Sequence, residues 1–179
     1  QAVDMQRVGT AEGNLSKEKL RQLVSRFRSK YWVNPITNCA RRLPCSVLAL
    51  IMDDPDSMEP AGKVWVHWVA WNIIPDAEDY IENIFRNDHK LGTNDFGEEG
   101  YGGPAPPDKR HTYVFKVYAL DREMDIEIIE GVLTIKVENQ EGKSVPKLYN
   151  AKSITKDVIE KAMEGHIVDQ ATLTGTYAP

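Results

Sequence analysis

Between Val64 and Trp71 the chain is apolar on both faces of an extended strand. Val64, Val66, Trp68 and Ala70 make one face; Trp65, Val69 and Trp71 share the other with a single polar residue, His67. A strand patterned this way must be covered on both sides, which restricts the chain to layered folds with a buried sheet. The run Val47, Leu48, Ala49, Leu50, Ile51 repeats the signal. It is too short for a typical helix and stops abruptly at Asp53, Asp54, Pro55 and Asp56, so it reads as a buried strand delivering carboxylates at its end. Tyr113 to Leu120 predicts a third strand. Leu133, Ile135 and Val137, alternating with Thr134 and Lys136, predict a fourth.

Helical signals are fewer. Ser16 caps an amphipathic stretch with Leu20, Leu23, Val24 and Phe27 at helical spacing, and Asp76 can cap a short helix carrying Tyr80, Ile81, Ile84 and Phe85. Thr155 is a third cap, flanked by Ile154 and Ile159, with Gly165 placed to end the helix. The expectation is a mainly β protein with a few peripheral helices. At 179 residues it fits one domain over residues 1–179, long enough to bury about two-thirds of its unfolded surface.

Composition excludes several partners. No segment approaches the roughly 18 uninterrupted apolar residues of a membrane span. A net charge of −5, from 27 acidic and 22 basic residues, argues against a nucleic-acid surface. Gln1 to Gly9 lack the basic and apolar pattern of a secretory signal, and Cys39 and Cys45 are too few for a disulfide framework. A cytoplasmic protein with two thiols is the expectation, with a short-loop disulfide as the alternative.

Three features can carry chemistry. The first is Asp53-Asp54-Pro55-Asp56, although aspartates beside prolines also belong to ordinary turns. The second is His67; a lone buried histidine is commonly a satisfied core residue, and it gains meaning only if an acid faces it. The third is the glycine-rich stretch from Leu91 to Pro107, whose N–H groups could form an anion-binding nest but which lacks the Lys-Ser/Thr of a phosphate-binding P-loop. His111 opens the next strand on the face of Tyr113 and would set a second imidazole at the rim of that loop. The acids and imidazoles do not have the spacing of a local metal motif, and no Gly-x-Ser-x-Gly elbow marks a nucleophilic serine.

Taken in order, Ala49-Leu50-Ile51-Met52-Asp53-Asp54-Pro55-Asp56, Val64-Trp65-Val66-His67-Trp68-Val69-Ala70-Trp71, Gly92-Thr93-Asn94-Asp95-Phe96-Gly97, Gly100-Tyr101-Gly102-Gly103-Pro104-Ala105-Pro106-Pro107 and His111-Thr112-Tyr113 strongly resemble the phosphatidylethanolamine-binding protein family, also called the Raf kinase inhibitor family. Ala162-Met163-Glu164-Gly165-His166-Ile167 resembles its bacterial and archaeal branch. The resemblance implies a β-sandwich of two antiparallel sheets and a small pocket for phosphate-like or carboxylate-like anions. Asp54, Asp56, His67, Pro107, His111 and Tyr113 match the family's ligand positions, with Tyr101 and Gly103 near the loop wall. The chain departs from the family at residues 34–44, and residues 126–152 are longer than expected, consistent with an inserted hairpin.

The function expected from this resemblance is non-catalytic binding of a small anion or phosphorylated head group, by a monomer or weak dimer. An inhibitor acting on a serine protease or a kinase pathway through a protein surface is the alternative, and a cryptic enzyme is a third. Imidazoles near their ordinary pKa of about 6.5 would strengthen anion binding as pH falls from about 8 towards 6. No cofactor and no metal are expected; stoichiometric zinc or iron in protein purified without added metal would overturn that.

Overall fold

Eight consecutive residues with every side chain buried mark the middle of the fold: β1, Val47–Asp54. Its branched and long apolar side chains suit a strand covered on both faces. β1 pairs antiparallel with β2 (Trp65–Ile73) on one side and with β4 (His111–Leu120) on the other. β3 (Lys90–Leu91) extends the sheet beyond β2 and β8 (Ile167–Tyr177) extends it beyond β4, giving the order β3-β2-β1-β4-β8. A second antiparallel sheet holds β5 (Ile126–Ile129), β6 (Val132–Glu138) and β7 (Ser144–Tyr149), in that order. Among the described residues lie two short helices, α1 (Met58–Ala61) and α2 (Lys156–Met163). The computed structural model describes residues 22, 47–74, 89–138, 143–149 and 153–179; the helices expected after Ser16 and Asp76, the two cysteines and the 34–44 segment lie outside them.

The large sheet has a core on each face. Leu48, Leu50 and Met52 of β1 pack with Trp68, Ala70, Tyr113 and Phe115 on the first. Val47, Ala49 and Ile51 pack with Val69, Trp71, Leu133, Ile135 and Ile159 on the second, so the small sheet and α2 cover that side. The mainly β architecture of two antiparallel sheets therefore agrees with the strand pattern. Where Leu133 to Val137 suggested a hairpin, the chain makes three strands, with Glu130 (φ 51°) and Gly131 (φ 79°) turning β5 into β6. Thr155 does precede α2, but its side chain makes no capping bond; its carbonyl accepts from the Val158 and Ile159 N–H groups.

β2 is bulged. Leu48 faces Ile73 while Leu50 faces Ala70, so three steps of β2 span two of β1, and Asn72 absorbs the excess with a left-handed φ of 52°. The Asn72 amide donates to the Met124 carbonyl at 2.9 Å and accepts from the Met124 N–H at 2.8 Å, fastening the turn after β4. Asn72→Ala loses both bonds and keeps the unfavourable φ. It is expected to lower stability by about 2–4 kcal/mol, read as a lower urea midpoint with unchanged slope.

Candidate functional site

A second bulge decides where His67 points. Met52 faces Trp68 and Asp53 faces Val66, leaving His67 as the extra residue of β2. Strict alternation would place His67 with Val69 and Trp71, but these two and Val66 pack in the second core while Trp68 packs in the first. The bulge turns the imidazole to the Trp68 side, edge-on to Tyr113 at 5.2 Å and to Phe96 at 5.4 Å between ring centres. Asp54, Tyr113 and His111 belong to that side by the alternation of β1 and β4.

Asp54 is the last residue of β1 and the N-cap of the 3₁₀ turn Pro55–Ser57. One carboxylate oxygen accepts the N–H groups of Asp56 (3.0 Å) and Ser57 (3.2 Å); the other accepts the Ser57 hydroxyl (2.6 Å) and faces His111 Nδ1 (2.7 Å). His111 Nε2 lies 2.8 Å from Asp108. A ring that meets a carboxylate at each nitrogen needs a proton on both, so His111 is held as an imidazolium. Burial acts to lower its pKa, but the hydrogen bonds to Asp54 and Asp108 outweigh it and the net shift is upward.

The glycine-rich loop supplies the opposite wall. The Asn94 side chain accepts the N–H groups of Phe96 and Glu98 and donates to the Gly100 carbonyl, folding the loop on itself. Asp95 fastens it to β2: its carboxylate accepts the Val66 N–H at 2.7 Å and Lys63 Nζ at 2.7 Å, and its own N–H donates to the Val66 carbonyl. The Gly102 N–H donates to the His67 carbonyl (2.8 Å), and His67 Nδ1 donates to the Gly102 carbonyl (2.9 Å). A side chain at Gly102 would sit 2.5 Å from the Phe96 ring, so the close approach requires glycine. The N–H groups of Gly97, Gly100 and Gly102 all donate to carbonyls within the protein, so they form no open nest. Burial lowers the pKa of His67; the Gly102 carbonyl and the charge of Asp54 oppose this without cancelling it. The two imidazoles thus leave their ordinary value in opposite directions.

These elements enclose a cavity of about 220 Å³. Asp54, His67, Pro107 and Tyr113 line it together, as do Ser57, Trp65, Phe96 and Pro106, which sequence reasoning did not single out. Ser57 was legible in principle, since it stands three residues after Asp54 in an N-cap frame. The other matched residues are outside the lining. His111 is fully buried behind Asp54, the Asp56 carboxylate accepts the Thr112 N–H at 2.6 Å, and Tyr101 packs edge-on to Trp68, with Gly103 two residues further on. The Tyr113 hydroxyl and Trp65 Nε1 are buried without a hydrogen bond of proper geometry. Burial raises the Tyr113 pKa, with the Ala105 N–H close enough to oppose the shift. Among the described residues no three His, Cys, Asp or Glu side chains are grouped to hold a metal, and no helix is long and apolar enough to cross a membrane.

His111→Gln leaves the buried Asp54 short of its cationic partner and is expected to cost about 3 kcal/mol at pH 6. The raised pKa of His111 means that its contribution is fully present below its unfolded value of about 6.5 and is lost as pH rises through the folded value. The gap between parent and variant in urea unfolding should therefore narrow at alkaline pH; a gap independent of pH would exclude the imidazolium.

Residues 42–178 match the family model described as phosphatidylethanolamine-binding protein. A UPF0098 protein of Methanothermobacter thermautotrophicus is 36% identical over 135 residues, covering 73% of this chain and 72% of the relative. A UPF0098 protein of Chlamydia muridarum is 36% identical over 134 residues, covering 73% and 71%. A solved structure from Chlamydia trachomatis, described as a phosphatidylethanolamine-binding protein homologue, superposes with a TM-score of 0.53 at 30% identity, over 78% of this chain and 76% of that one. A family match spanning most of the chain, relatives more than a third identical over the aligned residues and a common fold establish that the chain belongs to the phosphatidylethanolamine-binding protein family.

Proposed function

We propose that this chain is a non-catalytic binding protein whose cavity holds a small oxoanion of the kind found in phosphorylated head groups. The observation that supports this best is the pair of buried donors, Tyr113 Oη and Trp65 Nε1, that lack protein partners at a cavity also lined by His67. A buried donor without an acceptor is costly, and an oxoanion supplies several acceptors at once. The charge of Asp54 does not forbid this, because the His111 imidazolium behind it offsets that charge. About 220 Å³ suits a head group and is small for a ligand with acyl chains.

The non-catalytic reading follows from Ser57, the serine of the cavity. Its hydroxyl donates to Asp54, a carboxylate already holding three other donors, so its proton is committed away from any incoming substrate. A second reading, inhibition of a serine protease or kinase through a protein surface, draws on the exposed Ile128, Ile129 and Val132 around the β5–β6 turn. A panel of serine proteases assayed with and without the protein tests it, and absence of inhibition removes it.

Calorimetry with phosphoethanolamine tests the first reading. His67→Ala should weaken binding by about 1.5–3 kcal/mol, roughly ten- to a hundredfold, with a native circular dichroism spectrum. Because burial lowers the His67 pKa, charging of this ring adds affinity only below its ordinary value of about 6.5, and any rise in affinity above that pH comes from a proton carried by the ligand. Equal affinity of parent and variant across this range would discard the pocket.

A further inference from the structure

The hydrogen-bonding state of His67 says which oxoanions the cavity can take. Its Nδ1 is committed to the Gly102 carbonyl at 2.9 Å, and a carbonyl only accepts, so Nδ1 carries a proton. In the neutral ring the other nitrogen, Nε2, then presents a lone pair. The surroundings favour that neutral form: the ring is buried between the Tyr113 and Phe96 rings, and among the described residues no Lys or Arg lines the cavity. The charged groups acting on it are the Asp54 carboxylate from β1, with the His111 imidazolium behind it, and Asp95 from the loop, itself paired with Lys63.

A lone pair repels a bare anionic oxygen and accepts an O–H. We propose, resting on the oxoanion reading above, that the cavity binds an oxoanion together with one proton shared with His67 Nε2, and so selects phosphate and phosphate monoesters over sulfate and phosphodiesters. The chemistry separates these ligands sharply. A phosphate monoester has a second pKa near 6 and readily holds a proton beside a base, whereas sulfate and a phosphodiester have no proton to share near neutral pH. Their binding would require His67 itself to be charged, against its burial. A site built to pair with an O–H penalises the analogue that lacks it, because the lone pair is left opposite another acceptor. The consequence for lipids is specific: the head group of an intact diacyl phospholipid is a phosphodiester, and this cavity should decline it in favour of a terminal phosphate.

Calorimetric titration of the full chain at about pH 7.5 with inorganic phosphate, methyl phosphate, sulfate and dimethyl phosphate separates the outcomes. Phosphate and methyl phosphate are expected to bind at least about tenfold more tightly than sulfate and dimethyl phosphate. Repeating the methyl phosphate titration in two buffers of different ionisation enthalpy should show net proton uptake on binding. His67→Gln, which presents an amide donor, should bring phosphate and sulfate to within about threefold of each other. Sulfate binding as tightly as phosphate to the parent protein, or methyl phosphate binding without proton uptake, overturns the selectivity while leaving an oxoanion site. Absence of binding by all four ligands overturns the oxoanion reading and the selectivity with it.

Discussion

Two consecutive carboxylates at the end of a strand buried on both faces must leave it in opposite directions, and most of this molecule is arranged around that requirement. Asp54 emerges on the first face, where two backbone amides, a hydroxyl and an imidazolium converge on it. Asp53 emerges on the second, where Lys116 of β4 and Lys156 of α2 both reach one of its oxygens, at 2.6 and 2.7 Å. Neither acid would be tolerated there without partners, since an isolated buried carboxylate costs far more than any one contact returns. The partners come from β4, from the turn after β1 and from the last helix, so satisfying the two charges also fixes how those elements dock.

The cavity follows from the Asp54 side of this arrangement. The acid orients Ser57 and holds His111, and His111 in turn holds Asp108 in the stretch that follows Pro107. Opposite stands His67, gripped through both its backbone and its ring by Gly102. One imidazole sits between carboxylates and keeps its proton; the other sits among aromatic rings and gives its proton up readily. The same side chain serves as a fixed charge in one place and as a neutral acceptor in the other, and only the neighbours differ.

The three long strands around the cavity were legible because β1 and β2 are nearly continuous apolar runs and β4 an apolar stretch interrupted by Lys116, and the acids at the end of β1 were visible as a break. Of the eight residues that the family resemblance marked, four, Asp54, His67, Pro107 and Tyr113, line the cavity. What could not be read locally depends on register. Alternation put His67 on the wrong face, because a bulge is a property of the pairing with β1 and leaves no composition mark in Trp65–Ile73. His111 looked like a rim residue until the contacts with Asp54 and Asp108 placed it behind the wall. β8 escaped notice because Asp169, Gln170 and Gly175 interrupt its apolar residues and Thr172, Thr174 and Thr176 fill the other positions, although it pairs along the whole of β4.

The order of the strands has a consequence for synthesis of the chain. β1 lies between β2 and β4 in space, yet β4 follows it by more than fifty positions, the separation of Asp54 from His111. On the ribosome, Val47–Asp54 therefore emerges as an apolar ribbon with one edge unpaired until His111–Leu120 has been made. Such a segment is prone to pair with another copy of itself. Asp53 and Asp54, uncompensated at that stage and closing the ribbon with two like charges, repel any neighbour stacking in register, so the residues that later organise both faces first act as gatekeepers for the nascent strand.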